Sequence, residues 1–307
     1  MVSFRVKCRT ASNFECNESC TISLPIFDQP LRMMPVKPMF GCNFIDFRGD
    51  DFPSPKAAEE GAERLTELLL LAGAKRGYGA SFTGGALSFS TEMKQKYRED
   101  TGKSLVEDQV GVTVYERPAD IKGFFAQGSA IEQVDAISHY ISEVANCKLP
   151  LTERQRIALE LLNDTYFEPS ADTVFVMSIT AVEALCPEQA PTKFFQSVVS
   201  KLIFAVRSLE RIFTVLRRLE WQCDMEELRK KLEGLRSRGS VRQGYLVKLR
   251  LLLDRGVAKE FDKLYGDRSA FVHEGKGRGS FSVKAPRARQ IAMDLLFAEI
   301  APSNTHP

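Results

Sequence analysis

The chain has 307 residues, 44% of them hydrophobic, with 42 Lys and Arg against 40 Asp and Glu. That is room for two domains with an ordinary globular core. The first ten residues read as a charged strand rather than a secretory leader, and no apolar run approaches the ~20 residues a membrane span needs. With seven scattered cysteines, an odd number, the expectation is a soluble, reduced, cytoplasmic protein.

In the N-terminal half, Phe4, Val6 and Cys8 alternate with polar residues, as do Cys20, Ile22, Leu24 and Ile26. Both stretches predict half-buried strands. Pro25, Pro30, Pro35 and Pro38 keep the next stretch extended, and Phe44, Ile45 and Phe47 predict a short strand. A helix follows, with Ser54 as N-cap and Pro55 at its first position. Ala58, Ala62, Leu65, Leu68, Leu69 and Ala72 form its apolar stripe, Glu59, Glu60, Glu63 and Glu67 lie opposite, and Gly73 is expected to stop it. Ser81–Phe89 reads as strand and hairpin.

Three patterns here fail as ligand sites. The glycines from Gly73 to Gly85 follow a helix instead of preceding one, the wrong order for a phosphate loop. Thr101-Gly102-Lys103-Ser104 mimics the tail of such a loop, but Tyr97 stands where its leading glycine belongs. Of Cys8, Cys16, Cys20 and Cys42 only Cys16 and Cys20 have the spacing of a zinc pair, and no histidine lies near. No metal and no cofactor is expected. Val112, Val114 and Tyr115 give one more strand before Pro118.

Gly123 and Gly128 mark a boundary, after which the chain reads as helices. Ile131, Val134, Ile137, Ile141 and Val144 line a helix from about Ser129 to Cys147, with His139 on its solvated side near Glu143. Thr152 caps the next, with Ile157, Leu161 and Leu162 inward. Thr173–Cys186 is apolar nearly all round, as in a buried bundle helix. Its one charge, Glu183, either pairs with an arginine or reaches solvent at the helix end. A long helix begins at Phe194 and runs toward Arg218. Arg229, Lys230, Lys231, Arg236 and Arg238 then either track an RNA backbone or make a solvated face. The predicted fold class is α+β: a small mixed domain over 1–125, followed by an all-α helical bundle over 126–307.

The stretch that stands out is Asp267-Arg268-Ser269-Ala270-Phe271-Val272-His273-Glu274-Gly275, closing an amphipathic run in which Val257, Phe261, Leu264 and Tyr265 recur at helical spacing. Gly275, Gly277 and Gly279 end it. His273 is a group able to give and take protons near neutrality. Arg268 forks onto phosphate oxygens. Together they are a minimal kit for metal-free phosphodiester cleavage. Five helical positions turn by about 140°, so one substrate meets both only if the helix ends or distorts between them, or a second chain completes the site. The other reading is a surface arginine and a helix-terminal histidine placed favourably at the dipole. Residues 201–290 hold 22 Lys and Arg against 11 Asp and Glu, either a field that draws in phosphate or solvated helix faces neutralised by acidic helices of the same bundle. Lys276, Arg278, Lys284, Arg287 and Arg289 crowd the loop after the motif and the start of a helix opened by Pro286. Cations at a helix start are locally unfavourable, so these five are assigned to RNA binding.

The segment 264–275 resembles the R-x4-6-H signature of HEPN domains (higher eukaryotes and prokaryotes nucleotide-binding), above all the ApeA-like branch. Val174-Phe175-Val176-Met177-Ser178-Ile179-Thr180-Ala181-Val182-Glu183-Ala184-Leu185 is similar to the earlier core helix of that branch, with its A-x-E-A-L pattern. The resemblance covers about 150–302. It implies a metal-independent endoribonuclease, acting through the RNA's own 2′-hydroxyl in a toxin or anti-phage defence setting, with RNA and an antitoxin or defence protein as partners. His273 would move protons and Arg268 would stabilise the phosphorane; Glu183 is the third catalytic position if the arginine it pairs with is Arg268, a reading that rests on its being the one charge of an apolar helix. One histidine per motif implies a homodimer that joins two motifs. Ser269 follows the arginine where many catalytic members have Asn, Asp or His, which leaves a second expectation: a non-catalytic dimerisation or binding module for RNA or a protein.

Overall fold

A computed structural model gives the architecture and describes residues 1–12, 14–15, 19–24, 26–34, 43–83, 90–122, 132–186, 191, 193–215, 219–237, 241–274 and 281–301. In chain order the first elements are β1 (Val2–Thr10), β2 (Phe14–Glu15), β3 (Cys20–Ile22), β4 (Leu31–Met34) and β5 (Asn43–Phe52). Then come α1 (Pro55–Arg76), β6 (Ala80–Ser81), α2 (Thr91–Thr101), β7 (Ser104–Glu107), β8 (Gly111–Glu116), β9 (Ala119–Lys122) and β10 (Glu132–Gln133). Helices follow: α3 (Val134–Val144), α4 (Glu153–Asp164), α5 (Ala171–Leu185), α6 (Lys193–Val215), α7 (Leu219–Ser237), α8 (Val241–Leu252), α9 (Arg255–Glu274) and α10 (Phe281–Ile300). The fold class is α+β, as predicted. No described helix is long and apolar enough to cross a membrane.

By their contacts the residues fall into two units, one of 1–185 with 264–307 and one of 186–263. The expected boundary at 125 lies outside the described residues.

The first unit is built on an antiparallel sheet ordered β3-β4-β5-β1-β6, with β8 also on β1. β1 is not half-buried as its alternation predicts. Phe4, Val6 and Cys8 are buried, and so are Ser3, Arg5 and Lys7 between them. The cations stay there because they are paired. Arg5 Nε donates to Asp46 at 2.9 Å, Lys7 Nζ donates to Asp108 at 2.8 Å, and Arg5 also reaches Asp108. A buried charge is tolerated only with such partners. Burial pushes the Asp108 carboxyl up, but the Lys7 hydrogen bond and the charges of Arg5 and Lys7 hold it below the usual carboxylate range. Burial, with the charge of Asp46, pushes the Cys8 thiol up to about 12.

α1 packs across the sheet. Ser54 Oγ accepts the Ala57 N–H as N-cap, and Pro55 fills the first position. Gly73 does not end the helix; Gly77 does, at φ 79°. Gly73 is instead a point of close approach, where an added Cβ would lie 2.7 Å from Asn163 Oδ1 and 3.0 Å from Ala80. Asn163, buried on α4, accepts from Ala80 N–H and donates to the Leu70 and Leu159 carbonyls. Glu67, expected on the solvated face, is buried and accepts from Leu151 N–H and Arg156. α1 therefore has the sheet on one side and α3 and α4 on the other.

Other corrections are local. α2, with Ser90 as N-cap, and the parallel pair β7–β9 carry no signal strong enough to predict. Gly102 caps α2 and Ser104 opens a strand, the reverse of phosphate-loop order. Ile157 is exposed, while Ala158, Leu159 and Leu162 face inward from a complete Thr152/Gln155 capping box. Pro286 lies inside α10 and does not open it. Phe281 holds the helix start in place, stacked on Phe175 at 4.5 Å and edge-on to Phe271 at 5.1 Å. Ser129, Cys16, Cys42 and the glycines near 85 lie outside the described residues.

Two outcomes follow from this packing. Gly73→Ala gains up to about 1 kcal/mol of helix propensity, yet overpacks α4 at a cost of about 1–3 kcal/mol. Its urea midpoint should fall, and a rise would refute the close-approach reading. Because the Asp108 pKa is depressed in the folded state, its contribution is full above the ordinary value of about 3.9 and is lost as pH falls through the folded one. Thermal midpoints below about pH 4 should therefore drop less steeply for Asp108→Asn than for the parent.

Candidate functional site

Three helices of the first unit build the site: α5, the C-terminal part of α9, and α10. The Phe175–Phe281–Phe271 cluster packs their ends together. α9 continues unbroken through the motif to Glu274, and Gly266 is an ordinary helical residue with open space where a Cβ would stand. Arg268 and His273 therefore lie on one regular helix, about 140° apart around its axis. Of the conditions under which both could meet one substrate, a helix end between them does not occur.

Arg268 turns toward α5. Its Nη2 lies 3.6 Å from Glu183 Oε2, both side chains being about four-fifths buried, so the expected Glu183–Arg268 pairing is present. Tyr265, one turn earlier on α9, donates its hydroxyl to the same carboxylate. Burial raises the Tyr265 pKa, and the charge and hydrogen bond of Glu183 raise it further. Glu183 thus holds an arginine and a tyrosine at once. The Arg268 Nε is buried and has no hydrogen-bond partner. His273 is exposed, as is its neighbour Val272.

The assigned RNA-binding residues fare unequally. Lys276 and Arg278 lie outside the described residues. Lys284 donates to Asp267 at 2.9 Å, so its charge is already met within the chain. Arg289 lies over the Tyr166 ring at 4.5 Å, a packing role. Arg287 is exposed. Three cations of α7 are likewise engaged, while the side chain of Arg236 and all of Arg238 lie outside the described residues. Arg229 bridges Glu210 and Glu233, and Lys230 and Lys231 pair with Glu226 and Glu227 one turn back. These pairs use acids of 201–290 itself, so they hold individual cations locally and leave the net surplus of that stretch unchanged.

The contacts of Tyr265 with Glu183 and of Asp267 with Lys284 were not foreseen from sequence. Tyr265 was assigned only to the apolar stripe, although its place three residues before Arg268 on a helix is a signal for a shared partner. His139 is exposed beside Glu143 at 3.3 Å, as predicted for a solvated histidine. Among the described residues no group of three or more His, Cys, Asp or Glu has a geometry that would hold a metal. No family model, curated protein or solved structure matches the chain.

Glu183→Gln keeps the shape and removes the charge. The Tyr265 phenol should then titrate at lower pH, closer to the ordinary tyrosine value of about 10. Ring-carbon NMR, assigned with Tyr265→Phe, measures this. An unchanged titration would mean that the carboxylate does not face the phenol.

Proposed function

We propose that the chain is a metal-independent endoribonuclease of HEPN type, assembled when two copies bring their motifs together. The observation that carries this reading is the state of Arg268: a guanidinium fixed by a carboxylate from a second helix, with one nitrogen buried and unpaired, on the same helix as an exposed histidine. An arginine held in advance is what a transition state with growing phosphate charge requires. Since Arg268 and His273 diverge around one helix, a shared substrate calls for His273 from one copy and Arg268 from the other. Exposed Val272 and Val283 supply apolar surface on α9 and α10 for that contact.

In this reading one His273 takes the proton of the RNA 2′-hydroxyl as its oxygen attacks the adjacent phosphorus. The other His273 gives a proton to the departing 5′-oxygen. Arg268 neutralises the pentavalent phosphorane, and Glu183 with Tyr265 positions Arg268. The products are a 2′,3′-cyclic phosphate and a 5′-hydroxyl. A toxin or anti-phage defence role, with a cognate inhibitor, belongs to the same proposal. The engagement of Lys284 and Arg289 within the chain favours one other reading, a non-catalytic dimerisation or binding module.

Total RNA incubated with the protein in EDTA separates the two. Cutting should proceed without metal, leave 2′,3′-cyclic phosphate ends and spare DNA. His273→Ala and Arg268→Ala should each lower the rate by at least about a hundredfold. RNA left intact by the unmodified protein would reject the nuclease and favour the module.

A further inference from the structure

The second unit presents a feature that the ribonuclease reading does not use. α6 is apolar on two sides. Val199, Ile203 and Val206 are buried, and Arg207–Glu233 and Glu210–Arg229 link α6 to the antiparallel α7. A second row, Phe195, Val198, Leu202, Ala205, Leu209 and Ile212, is exposed, with Phe195 at 42%, Leu202 at 48% and Ile212 at 53%. Its spacings are 3, 4, 3, 4 and 3 residues, the a/d pattern of a helix that packs along another helix. The solvated side of the hairpin is marked by the i,i+4 pairs Glu226–Lys230 and Glu227–Lys231 on α7.

We infer that this row is a self-association seam, in which α6 packs antiparallel against α6 of a second copy. The row is complementary to itself when reversed. Phe195 then meets Ile212 of the second copy, Val198 meets Leu209, and Leu202 meets the small Ala205, large against small through the centre. A parallel pairing would set Ala205 against Ala205 and leave a gap there. The flanking residues agree, since reversal places Lys201 beside Ser208 and opposes no like charges. With Phe194 at the rim, the seam offers on the order of 500 Å² of apolar surface per copy, approaching the ~800 Å² per partner of a standard interface. Two hairpins joined this way complete a four-helix bundle. The seam does not depend on the nuclease reading, because it involves neither Arg268 nor His273.

The mass of the full-length protein by light scattering tests the seam, whatever RNA cutting shows. Leu202→Glu/Leu209→Glu should weaken association at least about a hundredfold, by placing carboxylates in the buried seam. Circular dichroism should be unchanged, because both side chains are exposed in one copy. Under diamide oxidation, Val198→Cys/Leu209→Cys should give a doubled mass on non-reducing gels, while Val198→Cys alone should match the parent. A monomeric parent protein, an undiminished mass in the glutamate variant, or ready cross-linking of Val198→Cys alone would each overturn the proposal.

Discussion

The first unit depends on α1 being buried along two sides. Leu65, Leu68, Leu69, Leu71 and Ala72 are fully buried, with the sheet on one side and α3 and α4 on the other. Such a helix has little solvated face, so its few polar contacts must be satisfied internally. Glu67 and Asn163 do this, one by taking the Leu151 N–H and an arginine, the other by accepting one bond and donating two. The close passage at Gly73 makes room for the second. The helical site is thus attached to the sheet through one helix that belongs to both, which is why the sheet and α3–α5 fall in one unit.

That arrangement also frames the site. α5 packs closely on α10 and on α4, so Glu183 stands on a rigid element. A carboxylate held this way keeps its charge beside Arg268, 3.6 Å from Nη2. The same rigidity fixes the divergence of Arg268 and His273, because no helix end lies between them to fold one toward the other. Any chemistry that needs both must come from how copies assemble. The chain has two candidate surfaces for assembly, the motif on α9 and the seam on α6, each in a different unit.

Helix caps and apolar periodicity were legible from sequence. Ser54, Pro55, Thr152 and the stripe of α1 gave their helices closely, and the lone charge of 173–186 left two readings for Glu183, of which the pairing with Arg268 is the one found. What was not legible depended on partners far away in the chain. Arg5 and Lys7 read as solvent-facing because their counterions are Asp46 and Asp108, 41 and 101 residues on. Gly73 read as a stop because the reason for a glycine there lies on Asn163. Pro286 read as a start because the aromatic cluster that carries α10 five residues further back is tertiary. The seam on α6 was read simply as an apolar helix, since periodicity alone does not say which of two apolar rows α7 covers.

The position of β1 has a consequence during synthesis. The strand lies between β5 and β8, and β8 ends at Glu116, about a hundred residues after β1. At the usual 5–20 residues per second, its two edges and its apolar row wait roughly 5–20 s on the ribosome for the last partner to emerge. For that interval Arg5 and Lys7, still lacking Asp108, keep the strand hydrated and hinder premature pairing with neighbouring nascent chains. Charges that look misplaced at the centre of the finished sheet thereby protect the strand while it is being made.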